Sequence, residues 1–315
     1  MVFLKCFCIF ALIKIKIKEI KKKMKITDCK AELLKQGDGL DAMFKHIELC
    51  GRVSYKSEDR MTKDSSIKFV ENLIKSSHTS VLEHGTVYLK VILGTPTSDE
   101  KYFSKVNLLT FFKGNPYSKV VERNETEKGD GYSYDLFVSY ITTNYRVIVE
   151  NNLEELVKPY ICDKACFHKN RFTMKFTTDR GVTHEIVRHR KDSFTQEAQR
   201  FCNYMSGKFN MSVTFIQPPW LKESDQEEFE EDLKTIENLY FKYLDKGYKP
   251  EEARYFLING TKTEICVTGF DSDWRHFFDL RYYGTTGKPS PDMLCLTKKA
   301  REVLEENGML FVPKK

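Results

Sequence analysis

The chain has 315 residues, of which 41% are hydrophobic and 30% charged. That is enough for one large or two small domains around a sizeable core, and it excludes disorder, collagen-like repeats and solenoid repeats as the main state. The formal net charge of +6 hints at a polyanionic partner, but residues 1–23 hold seven lysines and one glutamate, leaving 44 groups of each sign in the rest. A nucleic-acid-binding body would keep its positive excess without that tail, and this one does not.

The tail reads MVFLKCFCIFALIKIKIKEIKKK. Its apolar run, Cys6 to Ile13, is too short for a bilayer, which takes about 20 residues. Lysines follow it where a secretory signal would carry small residues for cleavage. Residues 1–23 therefore read as an extension ahead of a true start at Met24, with a membrane-surface anchor as the alternative. Nine cysteines, odd in number and irregular in spacing, point to free thiols in a reducing cytoplasm. Cys162, Cys166 and His168 have metal-ligand spacing, but no fourth ligand cluster lies near, and no metal is expected.

The elements follow in chain order. Ile67, Val70 and Ile74 share one face of a helix over 66–76, capped by Ser65 or Ser66. Val87–Leu93 reads as a strand. Residues 94–135, with Gly94, Pro96, Gly114, Pro116, Gly129 and Gly131, read as an irregular excursion. Asn144–Ile161 suits a helix, and the alternation of Phe172, Met174 and Phe176 with polar residues suits a half-buried strand. Ser224 with Glu227 predicts a capping box for a long acidic helix to about Leu244. Pro250 opens a short helix through Leu257. Ile265–Thr268 is a short strand, and a last helix runs from Ser290 to Asn307, stopped by Gly308. No linker divides the chain, so residues 24–315 read as one α+β domain.

Polar chemistry concentrates in DRGVTHEIVRHRKDSFTQEAQRFCNY, residues 179–204, with four arginines and two histidines among buried-type residues. On a helix Arg188 and Arg190 would point about 200° apart, serving two different anionic or polar ligands. His189 between them offers a hydrogen-bonding handle. Two further segments, HTSVLEH from His78 and WRHFFDLR from Trp274, add histidines and arginines beside large apolar residues, and PEEAR adds Arg254. Arginines held against such walls take carboxylate or phosphate partners, so ion-pair networks and bound anions both stay open.

The ordered set HTSVLEH, DRGVTHEIV, RHRKDSFTQEAQRF, PEEAR and WRHFFDLR resembles the flavin-dependent thymidylate synthase (ThyX) family from about His78 onward, with 95–170 largely an insertion. The resemblance implies a ThyX-like α+β domain whose central, antiparallel-rich sheet is flanked by helices. It also implies a homotetramer with sites at subunit interfaces. It implies dUMP as substrate, FAD as hydride carrier, and NADPH and 5,10-methylenetetrahydrofolate as co-substrates. Arg188, His189 and Arg190, with His78, Thr195 and His276, would hold the flavin. Glu185, Arg188, Gln196, Ala198, Gln199, Arg200, Arg254 and Arg281 would hold dUMP. Arg188 and Arg281 would be catalytic. Ala198 stands where the family pattern has Ser, Thr195 and Gln196 where Asn and Glu are frequent, and Phe201 where Tyr is common. A related dUMP hydroxymethylase, or a degenerate flavin and nucleotide binder, is the alternative. No cysteine follows a proline or precedes a histidine, so the Pro-Cys-His nucleophile of the classical thymidylate synthases has no counterpart.

Overall fold

Helices alternate with mostly antiparallel strands, so the expected α+β class holds. The structure, a computed structural model, describes residues 24–93, 100–129 and 132–309. The tail and Gly94, Pro96 and Gly131 lie outside the described residues. The elements are β1 (Lys25–Thr27), β2 (Lys30–Leu34), α1 (Gly39–Val53), α2 (Ser65–Lys75), β3 (Thr86–Leu93), α3 (Glu100–Gly114), β4 (Lys119–Gly129), β5 (Tyr132–Asn144), α4 (Tyr145–Glu150), α5 (Glu154–Val157), β6 (Arg171–Asp179), α6 (Arg180–Ile186), β7 (Ser193–Gln196), β8 (Thr214–Ile216), α7 (Gln226–Asp245), α8 (Pro250–Ala253), β9 (Lys262–Phe270), α9 (Asp271–Arg281) and α10 (Pro291–Glu306). Contacts group them into two compact units.

The smaller unit comprises residues up to Asp28, Asp179–Gly181 and Ala198–Lys262. Strands β1 and β8 pair in parallel, Lys25 opposite Thr214. The long helix α7 buries Leu233 and Tyr240 against Tyr204, Val213 and Phe215, and Met24 joins this core at 6% exposure. Glu237 is also buried there and is satisfied, its Oε1 accepting the Val213 backbone N–H at 2.7 Å. The expected capping box of α7 does not form. The helix starts at Gln226 behind a 3-10 turn, and the Ser224 hydroxyl donates to the Asp225 carboxylate instead.

The larger unit comprises Cys29–Thr178, Val182–Glu197 and Thr263–Lys315. Its four-stranded sheet has the order β2-β6-β9-β7, with β2 antiparallel to β6 and β7 antiparallel to β9. Strand β6 is buried more fully than its alternation predicts, since Thr173 and Thr177 are buried along with Met174 and Phe176. Trp274 of α9 is fully buried, its ring stacked on Phe172 at 5.3 Å. In α2 the buried positions are Ser66 and Val70, Ile67 is exposed, and neither Ser65 nor Ser66 caps the helix.

The described residues of the stretch read as an irregular excursion, 100–129 and 132–135, form regular elements instead: helix α3, then the β4–β5 hairpin, which pairs from Lys119 opposite Thr142 to Gly129 opposite Tyr132. Strand β5 also pairs with β3 along the whole length of β3. Charged side chains dominate β4 (KVVERNETEKG), so backbone pairing rather than a hydrophobic face identifies it as a strand. The helix expected over 144–161 does begin where predicted, with Asn144 Oδ1 accepting the Val147 N–H. It stops at Glu150, because Asn152 adopts a left-handed backbone (φ +53°), and α5 resumes two residues later. Helix α10 has the expected limits: Ser290 precedes it, capping it through the Met293 N–H, and Gly308 (φ +75°) follows its end.

Candidate functional site

The Arg188-His189-Arg190 triplet is not helical. Helix α6 ends at Ile186, and the chain turns back through residues 187–191 into β7, with backbone bonds from Arg188 N–H to Glu185 O and from His189 N–H to Ile186 O. Lys191 takes the left-handed conformation that completes the turn (φ +76°). This turn, rather than a helical 200°, sets the side chains: Arg188 and Arg190 are exposed and His189 is buried at 5%. Neither arginine makes a side-chain hydrogen bond or ion pair among the described residues.

His189 sits in a cluster with residues from α6, α9 and the cap of α10. Arg281 Nη1 donates to Glu185 Oε2 at 2.7 Å, Nη2 to the Glu185 carbonyl at 3.3 Å, and Nε to His189 Nε2 at 3.0 Å. The other Glu185 oxygen accepts the Ser290 hydroxyl at 3.0 Å. Because His189 Nε2 is the acceptor, its ring hydrogen belongs on Nδ1. Burial, with the Arg281 charge and then His276, pushes its pKa down to about 4, so the ring is neutral at pH 7. His276 is exposed, 5.9 Å from His189 between ring centroids, and Phe277 packs edge-on at 4.9 Å.

Thr195 and Gln196 face inward. Gln196 Nε2 donates to Thr183 and Thr263. Thr195 begins a buried chain of contacts: Thr195 Oγ1 to His84 Nε2 (2.9 Å), His84 Nδ1 to Thr268 Oγ1 (2.6 Å), Thr268 to Thr173 (2.6 Å), and Thr173 to His46 Nε2 (2.8 Å). Burial depresses both histidine pKa values, His46 to about 4 and His84 well below the usual value. His78 is exposed, and no side-chain contact joins it to this chain or to the His189 cluster among the described residues.

Sequence reasoning missed three members of this region. The fully enclosed arginine is Arg171 of β6, not Arg275 or Arg281. It is 6% exposed and donates to Thr86 Oγ1, the Glu83 carbonyl and Ser193 Oγ, with no carboxylate among these acceptors. Asp192 is also buried, and its Oδ1 has no hydrogen-bond partner among the described residues. Burial and the nearby Asp273 charge, opposed by Arg171, raise its pKa to about 8. Ser290, read only as the start of the last helix, also orients Glu185. Nothing in the local sequence distinguishes Arg171 from an ordinary strand-end arginine, whereas His84 lay in a segment already singled out.

The smaller unit carries the remaining predicted residues. Exposed Arg200 lies over the Phe201 ring at 4.4 Å, and exposed Arg254 donates from Nε to the Glu251 carbonyl. Ala198 is half-buried, and Gln199 is buried with its Nε2 unpartnered among the described residues. Among the described residues no cluster of three His, Cys, Asp or Glu groups could hold a metal ion. His168 instead accepts the Ala165 N–H at Nδ1 and bonds the Leu89 carbonyl through Nε2.

Residues 147–288, which include α6, the triplet, β7 and α9, match the family described as thymidylate synthase complementing protein. A flavin-dependent thymidylate synthase of Pyrococcus furiosus is 36% identical over 105 residues, covering 32% of this chain and 42% of that protein. One of Corynebacterium diphtheriae is 30% identical over 147 residues, covering 41% and 54%. The chain thus spans about two fifths to one half of the length of these relatives. Among solved structures, a UMP/dUMP methylase from Streptomyces cacaoi bound with 5-Br UMP aligns over 90% of this chain and 92% of its own at 12% identity, with a TM-score of 0.41.

Proposed function

We propose that this chain, whose residues 147–288 match the thymidylate synthase complementing family, catalyses flavin-dependent reductive methylation of dUMP to dTMP. The carrying observation is the RHR turn: two exposed arginines, without partners among the described residues, flank a buried neutral histidine that is bonded to Arg281. Such unspent guanidinium groups fit the phosphates of a flavin nucleotide. On this reading Arg188, His189, Arg190, His78, Thr195 and His276 hold FAD, and NADPH and 5,10-methylenetetrahydrofolate are the co-substrates. Bound flavin supplies the hydride that completes the methyl group.

The chain's own residues bind and orient. Glu185, Arg188, Gln196, Ala198, Gln199, Arg200, Arg254 and Arg281 are assigned to dUMP, and Arg188 and Arg281 to stabilising negative charge on the nucleotide. Arg281 already has an anionic partner, so a nucleotide oxygen reaching its Nη1 competes with Glu185. A partly exposed pair of this kind is worth about 1 kcal/mol or less, a small cost for exchange. His189 meanwhile keeps the Nε side of the guanidinium fixed. Ala198 lacks the hydroxyl of the family pattern. One neutral contact is worth about 0.5–1.5 kcal/mol, so its absence weakens dUMP binding several-fold without abolishing turnover.

The same missing hydroxyl, with Gln196 turned to two threonines, is what favours the second reading, a dUMP hydroxymethylase or a degenerate binder. A homotetramer and a cytoplasmic location are further parts of the proposal; no helix among the described residues is long and apolar enough to cross a membrane. The test is an absorbance spectrum of the purified protein with added FAD, followed by tritium release from 5-labelled dUMP. Flavin absorbance and release that requires both NADPH and methylenetetrahydrofolate are expected, with thymidylate as the product by mass spectrometry. A colourless protein that binds no added FAD overturns the reading, and a hydroxymethyl product selects the second one.

A further inference from the structure

We propose that Cys29 and Cys295 form an oxidisable dithiol site, with a peroxide as its reactant. The two sulfurs lie 3.4 Å apart although 266 positions separate them in sequence. Both belong to the larger unit. Cys29 immediately precedes β2, and Cys295 lies in the second turn of α10, which packs against that strand. One turn further along, Lys299 Nζ donates to the Cys29 carbonyl at 2.9 Å, so the two segments are tethered independently of the thiols. From 3.4 Å, side-chain rotation with a small shift of the helix reaches the bonding distance of about 2.05 Å.

The two thiols differ in access. Cys29 is 5% exposed, whereas Cys295 is half-buried. Hydrogen peroxide therefore meets Cys295. The Cys295 thiol gives up its proton and its sulfur attacks the O–O bond; a sulfenic acid forms, and the departing hydroxide takes up that proton and leaves as water. The Cys29 sulfur then attacks the Cys295 sulfur, the S–O bond breaks, and a second water leaves. In total, two thiols are oxidised to one disulfide and one peroxide is reduced to two waters. The other described cysteines lack this combination. Cys50, Cys202 and Cys266 are buried, and Cys162 has the His168 ring nitrogen 3.9 Å from its sulfur.

The cross-link would bear on the candidate site without touching it. Ser290, which caps α10 and holds the Glu185 carboxylate, lies five residues before Cys295. A disulfide fixes the helix that fixes this anchor. The proposal does not depend on the enzymatic reading.

The test uses the full chain, reduced and then titrated with hydrogen peroxide, denatured, alkylated with iodoacetamide and mapped by mass spectrometry. The peptides carrying Cys29 and Cys295 are expected to appear joined, about 2 Da lighter than their sum. The melting temperature should rise by on the order of 5–10 °C, because a loop this long is closed. In Cys29→Ser, the sulfenic acid is expected to persist at Cys295 and be captured by dimedone. In Cys295→Ser, Cys29 stays alkylatable. The proposal is overturned if both thiols remain alkylated at peroxide levels that oxidise the exposed Cys166, if either one joins a different cysteine, or if Cys29 is the sulfur that dimedone captures.

Discussion

The substitution Asp192→Asn should stabilise the protein, and by an amount that depends on pH. Asp192 is buried, its Oδ1 lacks a partner among the described residues, and its carboxyl holds a proton up to about pH 8 in the native state, against 3.8 for a free side chain. Between these values the native state binds more protons than the unfolded chain, so stability falls as pH rises. Each pH unit costs about 1.4 kcal/mol, giving an upper bound of about 4 kcal/mol by pH 7 and a plateau above pH 8. The variant side chain does not titrate. A buried amide group left unsatisfied costs about 1–3 kcal/mol, but that offset is the same at every pH. The slope is therefore the decisive quantity. Urea unfolding of both proteins from pH 4 to pH 9 should show the variant gaining on the native protein as pH rises, then holding level. Both chains carry the same histidines, so the difference isolates this one group. Parallel stability curves would refute the reasoning and mean that Arg171 keeps Asp192 ionised at neutral pH.

Three other outcomes follow from the larger unit. Trp274→Ala empties a fully buried site stacked on Phe172 and should cost about 3–5 kcal/mol in urea unfolding. Arg281→Leu removes a charge that holds the His189 pKa down; the imidazole resonance should titrate at higher pH by NMR, while staying below 6.5 because burial is the larger cause. Ser290→Ala removes both the α10 cap and a bond to Glu185, and should cost about 1–2 kcal/mol in the same unfolding assay, more than an exposed cap alone.

The sequence made the strongly patterned elements legible. Strand β6, the body of the long α7 and the Ser290-to-Gly308 limits of α10 were legible, whereas the α7 start was not, because Ser224 bonds Asp225 instead of capping the helix. Strand β4 was not legible, because its charged residues carry no face preference and its order comes from pairing with β5, which itself pairs with β3. The chemistry divides in the same way. His189 and Arg281 were identifiable as a set only through ordered motifs, and the chain fold supplies what those motifs could not: that Glu185 occupies Arg281, and that the triplet alternates outward, inward, outward because it is a turn. Arg171 carries no local mark, and the burial of Asp192 stayed invisible although the residue lies inside the RHRKDS motif, because burial is a property of packing across β6, β7 and the Glu83 turn.

The row of contacts from His46 to Thr195 has a consequence for hydrogen placement. Both imidazoles are neutral, so each carries one ring hydrogen, and each threonine hydroxyl carries one more. When Thr195 donates to His84, His84 donates to Thr268, and the contacts beyond Thr268 can run in either sense. When Thr195 spends its hydrogen elsewhere, the order is forced: His84 donates to Thr195 from Nε2, Thr268 to His84, Thr173 to Thr268, and His46 to Thr173 from its own Nε2. An acceptor that takes the Thr195 hydrogen from outside therefore fixes, across three strands of the sheet, which nitrogen of both His84 and the distant His46 carries its hydrogen.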